Sequence, residues 1–182
     1  MNRVRRLVAS TIFAILVAAM PAALAQPAFP GLPDIDFSDP QFRQVELTED
    51  AVRNAVDAMV EMERAYGADA PVLTDPDALE RFLTESSPDA TIRGYGFADN
   101  VEWHRTVMSI FITYTLAVKG SMDDFDQTVE QLRNAPHLPE ETRKQLLDMF
   151  TAMRPSDNNV RAVTAVVADP AYADKIAGIL DE

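Results

Sequence analysis

An all-α fold is predicted: a compact bundle of six to eight short and medium helices around one central apolar helix. Three observations carry this. From Thr48 onward, apolar residues recur at three- and four-residue steps, the period of a helix buried along one face. Start and stop signals, such as Asp-Pro, Ser-Pro and terminal glycines, divide the chain at short intervals. No stretch of four or more residues alternates convincingly between apolar and polar, and glycine-bearing hairpin signals are missing.

Taken in order, the first helix begins at Thr48, an N-cap followed by Glu49 and Asp50 where the helix dipole favours acids. Val52, Val56, Met59, Val60, Glu63 and Tyr66 follow at helical spacing, and Gly67 ends it. Asp75-Pro76 opens the second, with Leu79, Phe82 and Leu83 as its buried stripe. Ser87-Pro88 opens a short third helix that Gly94 stops. The central helix spans about 99–119. Asp99 and Glu102 resemble a capping box, with Asp in place of the usual Ser or Thr. Trp103, Val107, Phe111, Tyr114 and Val118 march along one face, Met108, Ile110, Ile112 and Leu116 broaden it, and Gly120 closes it. A helix apolar nearly all round is one buried among others. Its uncharged stretch, Thr106 to Val118, is too short to span a bilayer, which takes about 20 residues.

Ser121 caps the next helix, carrying Phe125, Val129 and Leu132. Pro139 with Glu140 and Glu141 begins another, carrying Leu146, Leu147, Phe150 and Met153. Asn158 or Asn159 starts a valine-rich helix with Val160, Val163, Val166 and Val167. Asp169-Pro170 opens the last, with Tyr172, Ile176, Ile179 and Leu180. Short loops between such elements imply an orthogonal or up-down bundle.

What precedes Thr48 differs in kind. Residues 1–25 read as a secretory signal peptide. Arg3, Arg5 and Arg6 form the basic region, Leu7 to Met20 an apolar run of 14 residues, and Ala23-Leu24-Ala25 the small-x-small pattern, with cleavage between Ala25 and Gln26. The chain is therefore expected in the periplasm or secreted. Residues 26–46 form a Pro-rich extended arm, in which Pro27, Pro30, Pro33 and Pro40 block helix. Five large apolar residues punctuate it (Phe29, Leu32, Ile35, Phe37 and Phe42), so it reads either as a free tail or as a strap across a groove. Residues 47–182 are then the helical domain.

The formal net charge of −13 becomes −16 once the three arginines of the leader are removed. Such acidity argues against nucleic acid and anionic lipid, because both need a basic patch. With no cysteine in the chain, thiol catalysis, zinc-thiolate sites, iron–sulfur clusters and covalent c-type haem are excluded.

Candidate chemistry is sparse. His104 and His137 are the only imidazoles, and no G-x-S-x-G element accompanies them. Gly94-Tyr95-Gly96-Phe97 lacks the third glycine and lysine of a phosphate loop and reads as a helix end plus turn, with Tyr95 and Phe97 packing the corner. Tyr95, Phe97, Trp103 and His104 together mark a candidate groove for a ligand or partner. Met59 with Met62, and Met149 with Met153, make helically spaced thioether pairs of the kind that suit Cu(I). Core methionine is the commoner use. Asp34, Asp36 and Asp39, and Asp123, Asp124, Asp126 and Glu130, lack the loop glycine a calcium site needs.

The expectation is a non-catalytic protein that binds an envelope protein or an apolar ligand, with no cofactor and no membrane span in the mature chain. The alternative is a metal-handling protein using methionine and carboxylate ligands. A hydrolase built on carboxylates or His104 stands third.

Overall fold

The structure is a computed structural model that describes residues 43–66, 76–136 and 138–180. The signal peptide, the arm up to residue 42, Gly67, Asp75 and His137 lie outside the described residues. Among those described, the fold is all-helical without a strand. The helices are α1 (Glu49–Tyr66), α2 (Pro76–Thr84), α3 (Ala90–Gly94), α4 (Asn100–Thr113), α5 (Met122–Arg133), α6 (Glu140–Met153), α7 (Asp157–Val167) and α8 (Pro170–Leu180). No helix among them is long and apolar enough to cross a membrane.

Local capping chemistry explains most of these limits. The Thr48 hydroxyl accepts the Ala51 N–H at 3.1 Å and starts α1. Asp99 accepts the Glu102 N–H at 2.6 Å at the head of α4, while the Glu102 carboxylate reaches back to the Ala98 N–H at 2.7 Å. That is the reciprocal logic of a capping box, displaced by one residue. Ser121 and Asp169 cap α5 and α8 as expected, accepting from Asp124 and Ala171.

Two starts differ from expectation. Helix α3 is capped by Asp89, whose carboxylate accepts from Thr91 at 2.7 Å, so Ser87-Pro88 only leads into it. Helix α7 is capped by Ser156, which accepts from Asn159 at 3.1 Å. Neither Asn158 nor Asn159 starts that helix. Both belong to its first turn, and their amides are used elsewhere. Helix α3 does end at Gly94, but the residue that turns the chain lies two positions on. Gly96 takes the left-handed position at φ 90°, with the Gly96 N–H on Arg93 and the Phe97 N–H on Ile92. This is a Schellman motif, and its flanking apolar pair, Ile92 and Phe97, is buried.

Helix α4 is the central element and continues as a π-helical segment, Tyr114–Lys119, rather than as α-helix to its end. The Thr115 hydroxyl occupies the Phe111 carbonyl at 2.8 Å, the kind of back-bonding that loosens a helix. The wider turn then closes with the Gly120 N–H on the Thr115 carbonyl at 3.0 Å.

Helix α4 and this segment divide two apolar cores. Trp103, Val107, Ile110 and Tyr114 enter the main core with Val52, Val56 and Met62 of α1, Val163 and Val166 of α7, and Ile176 of α8. Ile112 and Leu116 pack instead on a second core, built from Phe125 and Leu132 of α5 and Met149, Phe150 and Met153 of α6. Each large apolar side chain so buried contributes about 1.5–3 kcal/mol. Helices α5 and α6 pack chiefly on each other and form a hairpin beside the main body.

The stretch before α1 is extended and held by buried polar groups. Asn159 is 1% exposed, and its amide accepts the Leu47 N–H at 2.8 Å and donates to the Val45 carbonyl and the Gln44 side chain. Ser109 of α4 accepts the Val45 N–H at 2.9 Å, and Gln44 donates to the Met153 carbonyl at 3.0 Å. Residues 44–46, the end of the Pro-rich arm, are thus laid between α4, α6 and α7, with Leu47 as an anchor in the main core.

Candidate functional site

The corner where α2 and α3 meet α4 holds three of the four residues singled out for a groove. Trp103 follows one turn after the Asp99 cap and faces the main core at 1% exposure. Phe82 of α2 meets it edge to face, 5.9 Å between centroids. Such aromatic pairs add about 0.5–1.5 kcal/mol beyond the area they bury. Phe97 is also buried, placed by the turn at Gly96. Tyr95 packs against the edge of this core, and its hydroxyl donates to Glu61 at 3.3 Å. Burial first, and then the Glu61 charge, push the Tyr95 phenol above its ordinary range.

Asn100 ties the corner together. Its side chain is buried, donates to the Phe82 carbonyl near the end of α2, and accepts the Asp89 N–H that begins α3, at 3.2 Å. Helix α2 packs chiefly on α4, through Phe82 with Leu79 and Leu83 beside it, and Asn100 holds its C-terminal end. The Trp103 indole N–H, by contrast, has no hydrogen-bond partner among the described residues, although it is buried. A buried donor left unpaired costs about 1–3 kcal/mol.

His104, the fourth residue, is buried, at 8% exposure. Burial lowers its pKa, so the ring is neutral at pH 7. No hydroxyl or carboxylate is bonded to it among the described residues, so the arrangement of an activated nucleophile is not assembled there. The neighbouring Arg105 has an unpaired buried Nε, but it leaves α4 about 200° round from Trp103.

The methionine pairs fall into different cores. Met59 and Met62 lie on α1 in or against the main core, whereas Met149 and Met153 lie on α6 in the second, where Met122 also packs. No group of three or more His, Cys, Asp or Glu side chains converges among the described residues. Asp123 and Asp124 sit in the first turn of α5, and Asp126 pairs with Arg154.

One polar cluster was not anticipated. Arg53 of α1 bonds Asp169 at 2.6 Å, while Asp57 accepts from Tyr172 at 2.8 Å and Lys175 at 2.7 Å. The Tyr172 ring lies 4.9 Å from the Arg53 guanidinium and 4.4 Å from the Lys175 ammonium. The hydrogen bond to Asp57 raises both the Tyr172 and the Lys175 pKa, and that from Arg53 lowers the Asp169 pKa. Every charge is answered within the cluster, so it clamps α8 to α1 and holds no free acid or base. Arg53 and Asp57 stand one turn apart, which sequence shows, but Asp169, Tyr172 and Lys175 are over a hundred residues away.

Comparison of the chain with protein-family models, with curated proteins and with solved structures gives no match.

Proposed function

We propose that this chain is an exported protein that acts by binding, without chemistry of its own, and takes an apolar small molecule against Trp103 beneath α2. The observation that carries the reading is the closure of that corner. Helix α2 is fastened over Trp103 by the edge of Phe82, by the partly buried Leu79 and Leu83 beside it, and by one buried amide, Asn100. A short helix that packs chiefly on one neighbour opens at lower free energy than the core it covers. The surface beneath it is aromatic and apolar, the lining ligand pockets favour. Export rests on the basic, apolar and Ala-x-Ala order of residues 1–25.

The test uses N-phenyl-1-naphthylamine, a neutral apolar dye excited by tryptophan emission. The chain has one tryptophan, so sensitised dye emission reports dye within transfer range of Trp103, and the Phe82→Ala variant localises it to this corner. Saturable energy transfer, weakened by Phe82→Ala, is expected. Dye that never binds, or binds without quenching Trp103, would count against the reading. Sequencing the N-terminus of the envelope fraction tests export, with Gln26 expected as the first residue.

A thioether metal site is the second reading, supported by Met122, Met149 and Met153 gathering in one core. Native mass spectrometry after Cu(I) loading separates the two, since only this reading expects a copper adduct lost in the Met149→Leu, Met153→Leu double variant.

A further inference from the structure

We infer that the molecule bound beneath α2 is uncharged and carries a carbonyl-type hydrogen-bond acceptor, which the Trp103 indole N–H recognises. This rests on the binding reading above and names the chemistry of what is bound. Trp103 is 1% exposed, and its Nε1 has no acceptor among the described residues. Buried donors are nearly always paired, so an orphan marks a place where an acceptor arrives from outside the chain. The neighbouring polar groups are not the missing partner. The Asn100 amide is committed to Phe82 and Asp89, and the Thr106 hydroxyl donates to the Glu102 carbonyl at 2.9 Å.

Charge narrows the class. An anionic ligand buried there would need a cation beside it, because an unpaired buried charge is far costlier than an unpaired dipole. Arg53 and Lys175 are engaged with Asp169 and Asp57 on the α1–α8 surface. Arg93 donates to the Pro88 carbonyl at 3.0 Å, and burial keeps His104 neutral at pH 7. The whole chain carries a net charge of −13, which repels anions further. Arg81, beside Phe82 on α2, is exposed to solvent, and Arg105 leaves α4 about 200° round from Trp103, so an ester, ketone or aldehyde oxygen on an apolar body fits best.

Three probes of similar size decide it: acetophenone, with a carbonyl; ethylbenzene, nearly isosteric without one; and benzoate, with a charge. The single indole N–H gives one resonance in a proton–nitrogen correlation spectrum, so hydrogen bonding is read at the atom itself. Acetophenone is expected to move that resonance downfield and to bind about fivefold more tightly than ethylbenzene, the net effect of one neutral hydrogen bond. Trp103→Phe, which removes the donor and keeps an aromatic ring, is expected to abolish the preference. Should that variant fail to fold, the probe pair and the resonance decide on the unaltered chain. Equal affinity for acetophenone and ethylbenzene, or an unmoved resonance, overturns the inference while leaving an apolar site. Tighter binding of benzoate overturns the uncharged class. If the dye and all three probes fail to bind, the binding reading falls with it.

Discussion

Asn159 and Leu47 stand 112 positions apart in the chain, yet the Asn159 amide oxygen accepts the Leu47 backbone N–H at 2.8 Å in the buried interior. The same amide donates to the Val45 carbonyl at 2.8 Å and to Gln44 at 2.9 Å. One side chain therefore satisfies backbone and side-chain groups of a segment that has no secondary structure to satisfy them. Asn159→Ala is expected to destabilise by about 3 kcal/mol, because several buried groups lose their partner together. Asn159→Asp, despite its similar shape, is expected to cost at least as much, since it sets a carboxylate oxygen against two acceptors. Urea unfolding of both variants measures this, and a loss under about 1 kcal/mol in each would show that the segment is not held by Asn159.

The glycines predict opposite signs. A methyl at Gly120 would lie 2.9 Å from the Leu116 carbonyl oxygen and 3.0 Å from that of Thr115, both backbone atoms. Gly120→Ala is expected to cost about 1–3 kcal/mol. Gly96→Ala meets no atom but must hold φ 90°, at about 1–2 kcal/mol. Gly178→Ala, inside α8 and facing open space, is expected to stabilise by about 0.5–1 kcal/mol. Thermal unfolding of the three variants gives the order, and a stabilising Gly120→Ala would contradict the π-helical turn.

His104 sets a pH dependence. Burial holds its folded-state pKa below the ordinary 6.5, so the unfolded chain binds the proton more readily. Stability from this group is complete above about pH 6.5 and falls as pH drops below it toward the folded value. The Asp89 and Asp169 carboxylates, held below their ordinary 3.8, act only in a lower window. His104→Gln is therefore expected to flatten the change in urea midpoint between pH 7 and pH 5. An unchanged slope would locate the titration elsewhere.

Asn100→Ala is expected to act locally. Amide exchange across residues 76–84 should accelerate well beyond that of α7, as α2 loses the amide bonded to its Phe82 carbonyl. Uniform acceleration throughout the chain would mean that α2 opens only with the whole domain.

Helix identity was legible because it rests on short-range chemistry: the spacing of Val52, Val56 and Met59, the Asp99 cap, the Ser121 cap. Cap positions within Ser87–Asp89 and Ser156–Asn159 were not, since several residues of a run can cap and tertiary partners choose among them. Asn159 is the clearest case. Its type and position suit a helix start, but the extended segment around Leu47 claims its amide, leaving Ser156 to cap. The two-sided nature of α4 showed in its apolar circumference; that Ile112 and Leu116 serve a separate core did not. At the candidate site, Tyr95, Phe97 and Trp103 were found by their aromatic clustering. Asn100 was passed over, because an asparagine beside an N-cap looks like part of the cap, and the unpaired indole N–H exists only once the chain has folded around it.

The pairing of the earliest described residues with the latest helices governs how a chain made from its N-terminus can mature. Helix α1 can meet α3 and α4 early, but its remaining companions arrive only when α7 and α8 have emerged, for Arg53 waits on Asp169, Asp57 on Lys175 and Leu47 on Asn159. The α5–α6 hairpin needs no such delay, its Phe125 and Phe150 being close in sequence as well as in space. The small core is thus the natural first-formed unit, and the domain locks shut from its two ends last.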